Sequence, residues 1–326
     1  MPTIVEEIRP DLYRAEIPLP RNPLKATNSY IIRSPERNLV IDTGMNREEC
    51  RSALLNAFDQ LGIDLTRTDF FVTHLHADHV GLAGEISDKK ATIYFNEPDA
   101  EILLHDNLWA LVCRLTGRHG FPAELVDKAI DSHPGQRYSP KKEINFTMVA
   151  EGDLINYGDY EFYCVHTPGH TDGHTCLYEP RKKIFFSGDH ILGDITPNIS
   201  SWLDEDNPLE KYFMSLQKVR EMDIDLVLPG HRSLLHDCKS RIDQLMEHHQ
   251  ERLVEVIGIL KAYGKNSAFE VASKMTWELV AECWDDFPLM QKWFATGEAL
   301  AHLHYLEGEG KVAREEIEGI QVFALN

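Results

Sequence analysis

Three imidazoles and a carboxylate are packed into Thr73-His74-Leu75-His76-Ala77-Asp78-His79, directly after the apolar run Phe70-Phe71-Val72. Imidazole nitrogen and carboxylate oxygen are the ligand types that hold zinc, and also iron or manganese, at catalytic sites. His74 and His76 alternate, so an extended backbone turns both to one side. Asp78 and His79 follow at the turn into Val80-Gly81-Leu82-Ala83, which reads as a helix start. A merely His-rich surface loop is the competing reading, but so dense a tract points to metal binding.

Three further segments share one design: Cys164-Val165-His166-Thr167-Pro168-Gly169-His170-Thr171, Phe185-Phe186-Ser187-Gly188-Asp189-His190 and Leu226-Val227-Leu228-Pro229-Gly230-His231. Each is an apolar, β-prone run, a Gly-containing turn, and then a His or Asp. Ends of strands placed this way let a sheet bring ligands from distant parts of the chain to one edge.

With these four motifs in this order, the first 235 residues or so resemble the metallo-β-lactamase superfamily; Ile41-Asp42-Thr43-Gly44 matches its early strand-end motif. The resemblance implies a four-layer αββα sandwich with two metal ions at one edge of its facing sheets. It implies that His74, His76 and His170 hold the first ion, that Asp78, His79 and His231 hold the second, and that Asp189 bridges them. It also implies a water shared by the two ions as nucleophile, its pKa lowered toward neutrality. Asp42 is the candidate for orienting a ligand imidazole through its other nitrogen. His166 and His174 read as supporting hydrogen-bond partners. His190, next to the bridge, is a candidate proton donor or oxyanion stabiliser, beside Asp78 and Asp189 as catalytic residues. The ligand set favours two zinc ions, with iron or manganese as alternatives. The related flavodiiron proteins carry Glu where this chain has His76, which speaks against an oxygen-reducing di-iron site.

The elements that must position these residues can be read in outline. Ser29–Arg33 and Asn38–Asp42 are strand-like around a polar turn; Asn46 is placed to cap a helix that runs to Gly62. Asp69–His74 and Ala91–Phe95 are the next strands. Residues from about 97 to 140 interrupt the pattern with three helix-like pieces broken at Gly117, Gly120 and Pro122. In the resembled family such inserts sit over the metal edge as a cap, so Leu104, Leu108, Trp109 and Phe121 either line a pocket or pack the insert onto the body. His105, His119 and His133 in this insert read as surface residues. Strands resume between Ile144 and His166 with a turn at Gly158-Asp159, then at Thr175–Tyr178 and Lys183–Phe186. The helix Leu209–Met222 and the strand Asp225–Leu228 lead to His231.

The chain then changes character. Apolar residues recur at helical spacing from about Ser240 to Tyr263, followed by helical stretches near Phe269–Met275 and Trp293–Leu306 and a hairpin through Val312 and Ile320–Phe323. The division expected is a catalytic domain over 1–238 and a helical, winged-helix-like domain over 239–326. Ala301–Val312 is similar to the C-terminal domain of the β-lactamase-like protein family, which includes an endoribonuclease.

Composition limits the substrates. A chain of 326 residues, 43% hydrophobic, is long enough for about two domains, and its net charge of −20 opposes phosphate-backbone binding. From residue 241 onward 8 Lys/Arg face 15 Asp/Glu, not the basic face a nucleic-acid reader needs. The tail is therefore expected to pack or to form a homo-oligomer. Six scattered cysteines without paired spacing, no signal-like N-terminus and no apolar run approaching the roughly 20 residues of a membrane span suggest a cytoplasmic protein. The expected function is a dinuclear metal-dependent hydrolase of a small acyl substrate: a thioester, lactone, ester or amide. The alternatives are a single-stranded RNA endoribonuclease and a mononuclear iron persulfide dioxygenase.

Overall fold

A computed structural model describes residues 3–105, 107–201, 206–277 and 283–326. Its first sheet has seven strands in sequence order: β1 (Val5–Arg9), β2 (Leu12–Pro18), β3 (Ala26–Ile32), β4 (Asn38–Ile41), β5 (Thr68–Phe71), β6 (Ile93–Asn96) and β7 (Thr147–Val149). The second runs β12-β11-β10-β9-β8, built from β8 (Leu154–Tyr157), β9 (Tyr160–His166), β10 (Thr175–Glu179), β11 (Ile184–Gly188) and β12 (Leu226–Pro229). Helices α1 (Glu48–Leu61), α2 (Ala77–Val80) and α3 (Ala83–Ile86) follow β4 and β5. The insert contributes α4 (Glu97–Leu103), α5 (Leu108–Arg118), α6 (Ala123–Ser132) and α7 (Pro134–Tyr138). Helix α8 (Pro208–Arg220) joins β11 to β12. The tail is α9 (Cys238–Tyr263), α10 (Ala268–Ala272), α11 (Leu289–Gly308) and the hairpin of β13 (Val312–Ile317) and β14 (Ile320–Leu325).

Strict alternation along the strands makes the layers. Leu39, Ile41, Phe71, Leu177, Phe186 and Leu228 join one buried cluster between the sheets. Their neighbours Val40 and Phe70 face the α1 side, while Cys176, Phe185 and Val227 face α8 and α9. Opposite pointing of successive side chains thus sorts a continuous apolar run into two cores, and the architecture is the four-layer αββα sandwich. The tail is not a loosely tethered module. Leu245, Val256, Leu300, Leu303 and Phe323 share one core with Val165 and Phe185 of the second sheet.

Topology explains where the site falls. Pairs β4·β5 and β11·β12 are parallel, so each pair ends at the same edge, and in such sheets ligands collect at the carboxyl ends of the strands. Asp42, Thr73, Asp189 and His231 all lie just past those ends. There the sheets are zipped together: Asn28 N–H donates to Gly230 O at 2.7 Å, Tyr30 Oη to Pro229 O at 2.8 Å, and Thr175 N–H to Thr73 O at 2.9 Å.

Several expectations are corrected. Asn46 does not cap α1: its Nδ2 donates to Glu85 Oε1, and the N-cap is Arg47 without a side-chain bond. Strand β5 stops at Phe71, and the motif itself is loop followed by α2, which begins at Ala77 rather than at Val80. Helix α7 was not anticipated. His119 is fully buried rather than at the surface, its carbonyl accepting from Phe269 N–H at 3.2 Å. Of the two readings of the insert's apolar residues, packing holds for Phe121, which sits on Trp293 and Phe269, while Leu104 is 54% exposed. No helix among the described residues is long and apolar enough to cross a membrane.

Candidate metal centre

The motif residues converge. Three groups have ligand atoms within 4.8 Å of one another: His74, His76 and His170; Asp78, His79 and His231; and His74, His79 and Asp189. Nε2 of His74 lies 3.0 Å from Nδ1 of His76. Asp189 stands between the sets, its Oδ2 at 3.6 Å from His170 Nε2 and 3.3 Å from His231 Nε2, its Oδ1 at 3.6 Å from His79 Nε2. Asp78 Oδ2 is 3.4 Å from His231 Nε2. A tetrahedron with metal–ligand bonds of about 2.05 Å has edges of about 3.3 Å, so these separations suit donor atoms sharing an ion.

Four of the five imidazoles, those of His74, His79, His170 and His231, present a lone pair because the other nitrogen is committed. His79 Nδ1–H donates to Asp42 Oδ2 at 2.7 Å, His170 Nδ1–H to Asn198 O at 2.8 Å, and His231 Nδ1–H to Ala26 O at 2.8 Å. The Thr73 hydroxyl donates to Asp42 Oδ2 at 2.8 Å, which leaves its lone pair for His74 Nδ1–H at 3.0 Å. Meanwhile His79 Nε2, His170 Nε2, His231 Nε2 and Asp189 Oδ1 are buried without a hydrogen-bond partner. Leaving such an atom unsatisfied costs about 1–3 kcal/mol, and four in one cluster fit a cation as their missing partner. The donor set of imidazoles and carboxylates could hold a divalent metal.

Local conformation serves the same end. Asp42 sits at φ +58°, a left-handed strain for a non-Gly residue that is characteristic of functional turns. From there its carboxylate also accepts Thr73 N–H at 2.9 Å. The Gly of the Pro-Gly-His motif is required by close approach: a Cβ on Gly230 would meet Asp189 Oδ1 at 2.5 Å and His79 Cε1 at 2.8 Å.

The electrostatics divide the cluster. Burial, then the neighbouring imidazoles, hold His74 and His76 well below the usual histidine range. Burial likewise lowers His170, with Asp189 opposing. Burial also pulls on His79 and His231, but the carboxylates around them win and raise both. Asp189 is pushed up by burial, yet His231 and His79 hold it well below the carboxylate range, as an anion.

Among the supporting histidines, His174 Nε2 accepts the Asp189 N–H at 3.1 Å and its Nδ1 lies 2.8 Å from Thr167 Oγ1. His166 is outside the cluster, with Nε2 donating to Asp172 O at 2.8 Å. His190 is not brought into any ligand group. It is fully buried against the ring of Tyr212, and burial first, then Lys218 and His170, pull it down to about 3. Held neutral by burial, its imidazole carries no charge there but keeps one ring N–H.

One residue that the motifs do not mark ties the ligand loops together. Asp99, at the start of α4, is fully buried and accepts Leu75 N–H at 2.8 Å, Thr171 Oγ–H at 2.7 Å and Gly173 N–H at 2.7 Å. Its carboxylate thereby clamps the backbone between His74 and His76 to the loop after His170. The available signal was positional: an Asp just past the apolar strand Ile93-Tyr94-Phe95, as Asp42 and Asp189 follow theirs.

Fold and site together define a metallohydrolase class, and comparison with known proteins agrees. Residues 22–231 match the metallo-β-lactamase superfamily domain, and residues 284–326 match the metallo-β-lactamase-like C-terminal domain. The chain belongs to the metallo-β-lactamase superfamily and is a hydrolase of that superfamily. It is 25% identical over 254 residues, 77% of this chain and 71% of the other, to a β-lactamase-like protein 2 homolog of Caenorhabditis elegans. It is also 25% identical over 324 residues, 95% of this chain and 80% of the other, to an atrochrysone carboxyl ACP thioesterase of Passalora fulva. Among solved structures, a metallo-β-lactamase family protein from Thermus thermophilus superposes with a TM-score of 0.84 at 26% identity, covering 98% of this chain and 100% of that one.

Proposed function

We propose that this chain is a dinuclear metal-dependent hydrolase of a small acyl substrate, with a thioester as the first choice among thioesters, lactones, esters and amides. His74, His76 and His170 would hold one ion, Asp78, His79 and His231 the other, and Asp189 would bridge. Zinc suits this donor set best, with iron or manganese as alternatives. The observation that carries the reading is the position of Asp189 Oδ2, at 3.6 Å from one imidazole set and 3.3 Å from the other. When bound, such an ion pair supplies Lewis acidity and a water acidified toward neutrality.

The chain's own residues do the rest. Asp42, Asn198 and Ala26 fix the tautomers of His79, His170 and His231, which pre-orients those three rings. Asp189, held as an anion between His79 and His231, would bring negative charge to the ions rather than take up a proton. Asp78 keeps 12% side-chain exposure, and His76 and His170 are also only partly buried, so the mouth lies on that side. The acyl preference is supported by the acidic chain, at net charge −20, and by the thioesterase likeness over 95% of its length. Six free cysteines support a reducing, cytoplasmic location, and the catalytic and C-terminal parts divide near residue 238.

Metal analysis joined to a substrate panel tests this. Two ions per chain with turnover of acyl thioesters or esters, and loss of at least one ion in Asp189→Ala, are expected. One iron with oxygen consumption on a persulfide, or cleavage of single-stranded RNA without acyl turnover, would overturn it. So would an Asp189→Ala protein that keeps both ions.

A further inference from the structure

The loop that follows Asp189 is anchored in part by the C-terminal helices. Arg241 of α9 donates from Nε to Leu192 O at 2.7 Å and from its terminal nitrogen to Ile195 O at 2.9 Å. Ser201 N–H donates to Gly297 O of α11 at 3.1 Å. Between these anchors lies Asn198, whose carbonyl accepts the Nδ1–H of His170 at 2.8 Å. The Asn198 side chain is fixed at both ends: its Nδ2 donates to Glu298 Oε2 at 2.9 Å, and its Oδ1 accepts from the Ser200 hydroxyl. A continuous path therefore runs from α11, through Glu298 and Asn198, to the imidazole that faces Asp189.

We propose that Glu298 is a positioning residue for His170, so that helix α11 sets the affinity of the ion held by His74, His76 and His170; this rests on the two-ion reading above. The physical reason is geometric. His170 Nε2 can point into the site only while its Nδ1–H is directed at the Asn198 carbonyl. That carbonyl is in a loop without regular structure, so its direction is set by what holds the Asn198 side chain. Glu298 supplies the acceptor oxygen at 2.9 Å, from a carboxyl that burial pushes up to about 7, so the bond acts through its geometry rather than through a full charge. The bond spans 100 residues of sequence, so the amino-terminal sandwich and the tail must both be in place before His170 is aimed. It also gives the tail a role at the active centre that asks for no basic surface.

The test uses the full chain and competition between the protein and a chromophoric chelator for zinc, which resolves the two ions by affinity. Removal of an outer hydrogen-bond partner of a metal ligand costs about 10–100-fold in metal affinity. Glu298→Ala, two links away, is expected at the low end, about tenfold, on one ion only. Glu298→Gln keeps an oxygen acceptor for Asn198 Nδ2 and is expected to restore binding to within about twofold, and the metal-free unfolding midpoint is expected to match wild type in both. Asn198→Ala should reproduce the loss and add nothing to Glu298→Ala, since the two act in series. Wild-type affinity for both ions in Glu298→Ala would overturn the proposal. So would equal weakening of both ions with a lowered metal-free midpoint, which is the mark of lost packing. A wild-type chain that binds fewer than two ions would instead remove the two-ion reading, and this inference with it.

Discussion

Asp99→Asn isolates how much of the site depends on one buried carboxylate. The substitution keeps the shape and exchanges one oxygen for an NH2 group. Asp99 Oδ2 serves two donors, Leu75 N–H and Thr171 Oγ–H, and Oδ1 serves one, Gly173 N–H at 2.7 Å. The better amide rotamer keeps the first two and turns NH2 toward the Gly173 N–H, leaving two donors face to face. Stranding a buried N–H costs about 1–3 kcal/mol, and two charge-assisted bonds fall to neutral strength, about 1 kcal/mol each. Relief from burying a charge offsets part of this, leaving about 2–3 kcal/mol. At about 1.4 kcal/mol per tenfold, metal affinity falls by as much as about 30- to 150-fold if the whole loss is felt in ligand placement. Chelator competition on the purified variant reads this directly. Hydrogen exchange should show faster loss of protection at Leu75 and Gly173 than in strands β4 and β11. Affinity within about threefold of wild type, with those amides still protected, would refute the idea that Asp99 clamps the ligand loops.

Two further outcomes follow from the packing. Gly230→Ala places a Cβ 2.5 Å from Asp189 Oδ1 and 2.8 Å from His79 Cε1, so the Asp189 carboxylate must move; misplacement of about 1 Å costs about 100-fold in rate, to be read as kcat on an acyl thioester with circular dichroism unchanged. At the opposite end of the sandwich, Asp69 accepts from Arg37 Nε and Nη2 at 2.6 Å each, from Thr92 N–H at 2.7 Å and from Tyr157 Oη at 2.8 Å, tying β5 to β8. Burial pushes this carboxyl up, but Arg37, Thr92 and Tyr157 outweigh it and hold it below the usual range. Its contribution is therefore full above the unfolded value of about 3.9 and is lost as pH falls through the depressed folded value. Asp69→Asn should cost about 2–3 kcal/mol at pH 7, less than a fully buried pair because Arg37 keeps 37% side-chain exposure. In urea unfolding across a pH series, the gap to wild type should close in acid; a gap that is constant with pH would sink this account.

What could be read from the sequence was whatever local pattern dictates. An apolar run, a glycine and a His or Asp signal a strand end with a ligand, and the parallel pairing of β4·β5 and β11·β12 then leaves those ends no choice of edge. Even the Asp42–His79 bond was within reach, because a carboxylate past a strand end has an imidazole motif to serve. What escaped has no local signature. Glu298 looks like any charged residue of a helix, and Asn198 like any polar loop residue, until the fold joins them across 100 positions. Asn46 carried the right residue type for a cap, but tertiary contact with Glu85 claimed its side chain. His119 reads as a surface histidine in a loop between helices; packing against the tail buries it.

The orientation of the proposed ligands is a property of the closed sandwich rather than of either sheet. His231, at the end of β12 in the second sheet, is aimed by the carbonyl of Ala26 at the start of β3 in the first. The Gly230 carbonyl before it accepts from Asn28 of that same strand at 2.7 Å. Thr73, which fixes His74, accepts through its carbonyl from Thr175 of β10 at 2.9 Å. Each sheet thus holds acceptors for imidazoles or loops of the other, and neither half of the ligand set is organised until the core between them has formed. Metal binding to such a site draws on folding free energy. A cavity in that shared core, such as at Phe71 or Phe186, would therefore weaken metal retention as well as the fold, although neither residue lies among the ligands.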